Sequence, residues 1–140
     1  NGPGDPKENV TIISEIKKLV KAKIPIFGIC LGHQLLALAM GADTSKLKYG
    51  HRGPNQPVKH LDTGRVYIST QNHGYAVKND TLPKGAVLSF INTNDGTCEG
   101  ITYTKTPAFS VQFHPEACAG PLDTSFLFDD FVKLINGVQE

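Results

Sequence analysis

The stretch Pro25-Ile26-Phe27-Gly28-Ile29-Cys30-Leu31-Gly32-His33-Gln34-Leu35-Leu36-Ala37-Leu38-Ala39-Met40-Gly41 decides the fold. Ile26–Ile29 is a short apolar run entered through a proline, the pattern of a strand buried on both faces of a parallel sheet. From Gly32 to Met40 the residues favour helix, and Gly41 closes it. Upstream, Val10, Ile13, Ile16, Leu19 and Val20 recur at helical spacing with lysines on the other face. Helix, buried strand, sharp turn, helix predicts an α/β fold.

Working outward, the middle of the chain changes character. Arg65–Thr70 and Ala86–Thr93 alternate or run apolar with β-branched residues, as strands do, and Thr97–Tyr103 and Ala108–Phe113 continue the series. Asp62-Thr63-Gly64 and Asn94-Asp95-Gly96 are turn signals beside them. A last helix is expected from about Asp123, with Phe128, Phe131, Leu134 and Ile135 on one face and Gly137 as its stop.

Composition sets outer limits. The chain has 140 residues, 39% apolar and 19% charged, within the range of one globular domain. A net charge of +1 gives no reason to expect nucleic acid or an anionic membrane surface as partner. No apolar run has the length of a membrane span, and no signal peptide opens the chain. The three cysteines match neither a zinc pattern nor a disulfide framework, so a reducing, cytoplasmic home is expected. The opening residues, Asn1-Gly2-Pro3-Gly4-Asp5-Pro6, form a turn-rich loop without methionine or a preceding strand, and read as the start of a fragment.

Cys30 stands where the apolar strand meets the helix, between Gly28 and Gly32, which allow a tight turn like the nucleophile elbow of hydrolases. Such a turn exposes the thiol, and the helix N-terminus is expected to lower its pKa. From position alone, a buried and inert core cysteine is the competing reading. A thiolate needs a base, and the base an orienting partner. Of the five histidines, His114 ends an apolar strand and precedes Pro115-Glu116, so Glu116 can hold its tautomer. His51 and His60 read as surface or loop residues, and His33 as structural. Taken without further context, Asn72 and Gly74 read as an ordinary turn pair.

Gly28-Ile29-Cys30-Leu31-Gly32-His33-Gln34 and His114-Pro115-Glu116 together resemble the paired signatures of class I (triad) glutamine amidotransferases. Gly50-His51-Arg52-Gly53-Pro54-Asn55-Gln56-Pro57-Val58, Gln71-Asn72-His73-Gly74-Tyr75-Ala76-Val77, Asn94-Asp95-Gly96-Thr97-Cys98-Glu99-Gly100 and Gly120-Pro121-Leu122-Asp123 resemble the branch found in carbamoyl-phosphate synthase small subunits. The resemblance implies a mostly parallel, flavodoxin-like sheet flanked by helices with a small antiparallel section. It implies Cys30 as nucleophile, His114 as base and then acid, and Glu116 as orienting carboxylate. The N–H groups of Gly2 and Leu31 would correspond to the oxyanion hole, and Gly2, Gly4, Leu31, Gln34, Asn72, Gly74 and Tyr75 to glutamine-contacting positions. It implies no metal or organic cofactor in this chain, with ATP and metal confined to a large synthetase subunit that receives the ammonia and makes carbamoyl phosphate from bicarbonate.

Residues 1–140 would then be a partial glutaminase domain, lacking its first strands, a glutamine-contacting serine and a separate N-terminal domain. Ala119 stands where the family commonly has proline and Leu122 where histidine is frequent, and Cys118 reads as structural. Two other readings stand beside this one: an amidotransferase of another pathway, and a catalytically silent docking scaffold.

Overall fold

The computed structural model describes residues 4–117, 124 and 126–137. Helix α1 (Val10–Lys21) leads into β1 (Ile26–Ile29) and α2 (Leu31–Ala39), followed by β2 (Thr44–His60), β3 (Val66–Val77), β4 (Ala86–Asn92), β5 (Cys98–Tyr103), β6 (Ala108–Val111) and α3 (Phe126–Ile135). The six strands form one sheet in the order β1-β6-β5-β4-β2-β3. Among the described residues only β1 and β6 pair in parallel, with Ile29 opposite Val111. The other four pairings are antiparallel. The α/β class stands, and within the described residues the antiparallel part is the larger. Short connections explain this: β2–β3 and β4–β5 are joined by turns at the predicted Asp62–Gly64 and Asn94–Gly96, and among the described residues only β1 is joined to the next strand through an α-helix.

Three layers result. One face of the sheet packs Leu36, Ala37, Val77, Ile101, Tyr103 and Ala108 together with Ile16 and Val20 of α1. The opposite face packs Val58, Phe90, Val111 and Phe113 against Leu127 and Phe126 of α3. Phe90 and Phe113 are almost wholly buried, each contributing roughly 1.5–3 kcal/mol of apolar transfer.

The expected strands and helices are present, with two differences. β3 runs on to Val77, so Asn72 and Gly74 lie inside a strand rather than forming a turn pair. β2 was not anticipated. Its Pro54, Pro57, Gly50 and Gly53 disguise a strand that pairs with β3 through register shifts on either side of His51–Gly53.

Candidate active site

β1 delivers Cys30 to the carboxyl end of the sheet. The Cys30 N–H donates to the Val111 carbonyl at 2.9 Å, tying the end of β1 to the end of β6. Cys30 then takes φ +54°, ψ −109°, and α2 begins at the next residue. A side chain at positive φ costs on the order of 1–3 kcal/mol, held in place by the packing around it. The strain therefore rests on Cys30 itself, not on the glycines. Gly28 contributes through its lack of a side chain. A Cβ there would lie 2.9 Å from the Gly32 carbonyl oxygen, so only glycine lets α2 start so close to β1. Gly32 faces open space and is an ordinary helical residue.

Cys30 is 6% exposed. Burial pushes its thiol up, while the Leu31 N–H and the Gln112 side-chain amide, whose Nε2 lies 3.7 Å from Sγ, pull it down. This corrects the expectation of a depressed pKa. The helix start acts in the predicted direction, but loss of water outweighs it.

His114 follows β6, three residues beyond the Val111 that pairs with Ile29, so Cys30 and His114 follow the two parallel neighbours. Its backbone N–H donates to the Thr70 carbonyl at 2.9 Å. Its Nδ1 lies 3.2 Å from Glu116 Oε2, leaving Nε2 for proton exchange. Glu116 is exposed and His114 half-buried.

The other predicted positions divide. Leu31 opens α2. Gln34 is buried, its Nε2 donating to the Tyr75 carbonyl at 2.8 Å and to Gln112 Oε1 at 2.9 Å, which joins α2, β3 and the Cys30 neighbourhood. Asn72 is exposed and accepts from Arg52 at 3.0 Å, with Gly74 beside the same guanidinium. Gly4 sits exposed at φ +100°. Gly2 lies outside the described residues, as do Cys118, Ala119 and Gly120–Asp123. His33 is structural as read: fully buried, 2.7 Å from Ser110 Oγ through Nδ1, and held neutral because burial pushes its pKa down to about 3.

Sequence reading missed Gln112 and misplaced two histidines. Gln112 is a buried polar residue one position before Phe113; a polar residue interrupting an apolar strand next to His114 was the available signal. His60 ends β2 half-buried and stacks on Phe90 at 4.6 Å. His51 is 7% exposed and belongs to a polar cluster with buried His73 and Glu99 and exposed Asp95. Neither signal is local, because the partners come from other strands. A cavity of about 720 Å³ between α3 and the sheet contains none of the predicted site residues.

A strained cysteine between strand and helix, with a histidine–carboxylate pair just beyond the adjoining strand, is the kind of arrangement that nucleophile–base chemistry uses on an α/β sheet. Residues 1–134 match the family model for Glutamine amidotransferase class-I, and the chain belongs to that family. It is 58% identical over 134 residues to the carbamoyl phosphate synthase small chain of Methanocaldococcus jannaschii, covering 96% of this chain and 38% of that protein. It is 60% identical over 136 residues to the small chain of Oceanobacillus iheyensis, covering 96% and 37%. The chain thus spans well under half the length of these relatives. Among solved structures, a putative GMP synthase component from Thermoplasma acidophilum superposes with TM-score 0.81 at 23% identity, covering 98% of this chain and 70% of that one. A glutamine amidotransferase from Thermotoga maritima gives 0.68 at 22%, covering 99% and 62%. At those identities the likeness concerns the fold. No helix among the described residues is long and apolar enough to cross a membrane.

Proposed function

We propose that this chain carries the glutamine-hydrolysing site of a carbamoyl phosphate synthase small chain. The observation that carries the reading is the placement of Cys30, at positive φ where β1 meets α2, on the strand adjoining the one that leads to the His114–Glu116 pair. Identity above 50% to small chains from an archaeon and several bacteria supports this branch over amidotransferases of other pathways. Presence of all three triad residues weighs against a silent scaffold.

His114, oriented by Glu116, takes the Cys30 proton, since a thiol raised by burial does not ionise unaided. Sulfur attacks the glutamine carboxamide carbon, and the carbonyl electron pair moves to oxygen. The Leu31 N–H, at the start of α2, stabilises the oxyanion, a contribution of about 3–4 kcal/mol per donor. His114 then protonates the departing nitrogen, the C–N bond breaks, and ammonia leaves a glutamyl thioester. Water, deprotonated by His114, cleaves the thioester to glutamate and restores the thiol. Glutamine is held by Gln34, Asn72, Gly74 and Tyr75 with Gly2 and Gly4. No step calls for a metal or organic cofactor in this chain. Ammonia passes to a larger synthetase chain that uses ATP and bicarbonate, and the protein works in the cytoplasm.

The test is ammonia release from glutamine by the natural-length protein, with and without its synthetase partner, for the parent and Cys30→Ala. A loss of roughly 10³-fold or more in the variant is expected. Equal rates in parent and variant would overturn the assignment of Cys30.

A further inference from the structure

Glu99 is fully buried in β5, far in sequence from the triad. Its Oε2 accepts from Gln71 Nε2 at 2.9 Å and Asn92 Nδ2 at 3.0 Å and lies 3.5 Å from His51 Nδ1. Its Oε1 has no hydrogen-bond partner among the described residues. Gln71 Oε1 in turn lies 2.7 Å from His73 Nε2, and His73 Nδ1 lies 2.7 Å from the Tyr75 carbonyl.

The hydrogens in this run of contacts can be counted. A carbonyl oxygen only accepts, so with the Gln71 amide in this orientation both His73 nitrogens carry hydrogen, and an imidazolium faces a Glu99 carboxylate. With the amide reversed, its NH₂ donates to a neutral His73 and its oxygen faces Glu99, which must then be protonated. Either arrangement meets the Glu99 Oε2–Gln71–His73 contacts with one shared proton; Glu99 Oε1 stays unbonded among the described residues in both, and the reversed amide gives up the Gln71 Nε2–Ser69 Oγ bond of 3.1 Å. Without that proton, one pair of acceptors is left face to face, at a cost that buried groups do not tolerate cheaply. Burial raises Glu99 and lowers His73, and both effects place the proton on Glu99.

The contacts continue to the nucleophile. The Tyr75 carbonyl that receives the His73 Nδ1–H also receives Gln34 Nε2, which donates to Gln112 Oε1, whose amide reaches Cys30 Sγ. We infer that Glu99 is a positioning residue for glutamine hydrolysis: through Gln71 and His73 it fixes the Tyr75 carbonyl and the Gln34 amide beside Cys30. This rests on the glutamine-site reading given above. The groups facing the trio are His51 and Arg52 from β2, Asp95 from the β4–β5 turn, and His33 from α2. His51 is already engaged by Asp95 at 2.7 Å, and its second nitrogen lies 3.3 Å from His73 Nε2.

The experiment compares the natural-length parent with Glu99→Gln and Glu99→Ala. KM and kcat for glutamine hydrolysis are read from pH 6 to 9, and the His73 ring nitrogens are followed by NMR. Glutamine at position 99 donates to the reversed Gln71 amide and has no proton to lose. Its KM is therefore expected to stay flat with pH and near the parent's acidic value. The parent's KM rises at alkaline pH while kcat stays within about twofold; Glu99→Ala raises KM about tenfold throughout.

In the parent the His73 nitrogens shift with pH, and in Glu99→Gln they do not. The proposal is overturned if Glu99→Gln keeps the parent's alkaline rise, or if its His73 signals titrate as in the parent. Stoichiometric Zn²⁺ capture by His51, His73 and Glu99, whose donor atoms lie within 4.8 Å of one another, would also overturn it in favour of a metal cluster. A parent without glutamine hydrolysis removes the glutaminase reading and the positioning role with it, while the NMR readout still decides the shared proton.

Discussion

The two halves of the site are stabilised in opposite senses. At the β1–α2 junction, Cys30 sits in a backbone conformation unfavourable to any side chain, and its thiol is pushed up by burial. Across β2–β5, by contrast, buried His51, Gln71, His73, Asn92 and Glu99 hydrogen-bond one another. One region stores strain that packing must contain; the other supplies well-bonded polar contacts that help contain it. Gln34, bonded to both Tyr75 and Gln112, is the bridge between them. Under the proposed glutaminase reading, reactivity is concentrated on one residue because the surrounding polar groups are fixed.

Acid is the strongest way to break this contrast. His33, in α2, is held neutral in the fold because burial lowers its pKa to about 3 from 6.5. The unfolded chain binds a proton that the native state refuses, so this contribution is complete above pH 6.5 and is lost as pH falls towards 3. By about pH 4 the loss amounts to about 3 kcal/mol. His33→Gln keeps a hydrogen-bonding partner for Ser110 and does not titrate, so its urea-unfolding free energy is expected to be flatter between pH 6.5 and 4. Parallel curves for parent and variant would show that His33 is not the group responsible.

How much of this was legible follows the same division. The β1–α2 region could be read directly, because an apolar run, a cysteine and a helix-forming stretch are contiguous. The contact between His114 and Glu116 was legible from a short motif at a strand end. The β2–β5 cluster was not, because its members are separated by 20 or more residues in several pairs, as with His51 and His73 at 22 and His51 and Asp95 at 44. Nothing beside His51 in the chain says that it is buried. Likewise, prolines and glycines in Thr44–His60 lower its strand propensity, and pairing along β3 overrides that local preference. The pKa of Cys30 was misjudged because a sequence shows the helix start but not the depth of burial.

Gly28→Ala tests the junction sterically. The added methyl meets the Gly32 carbonyl oxygen at 2.9 Å and backbone atoms of Gly32 and His33 at 3.0 and 3.1 Å, none of which can rotate away. A loss of about 1–3 kcal/mol is expected from such overpacking, read from chemical denaturation. Glutamine hydrolysis should fall with it, because shifting α2 displaces both the Leu31 N–H and Gln34. Gly32→Ala is the control, since a methyl there meets nothing within 4 Å and α2 gains a better helix former. Equal effects at the two glycines would mean that the close approach of α2 to β1 is not what Gly28 provides.

The smallest effect is the most telling, because it separates the backbone strain at Cys30 from the chemistry of its thiol. Cys30→Gly removes the proposed nucleophile and is expected to end hydrolysis, but it also replaces a side chain at φ +54° with the residue that tolerates positive φ. Two costs oppose the gain: the greater freedom of glycine in the unfolded chain and the loss of a small buried side chain. Cys30→Ala shares the second cost and keeps the strain, so the difference between the two variants isolates the backbone contribution. Cys30→Gly is expected to be more stable than Cys30→Ala by about 1 kcal/mol, although glycine is ordinarily the less stable of the two in a folded chain. Ordinary ordering, with alanine more stable, would show that Cys30 bears no strain and that the contrast between the two halves of the site is one of chemistry alone.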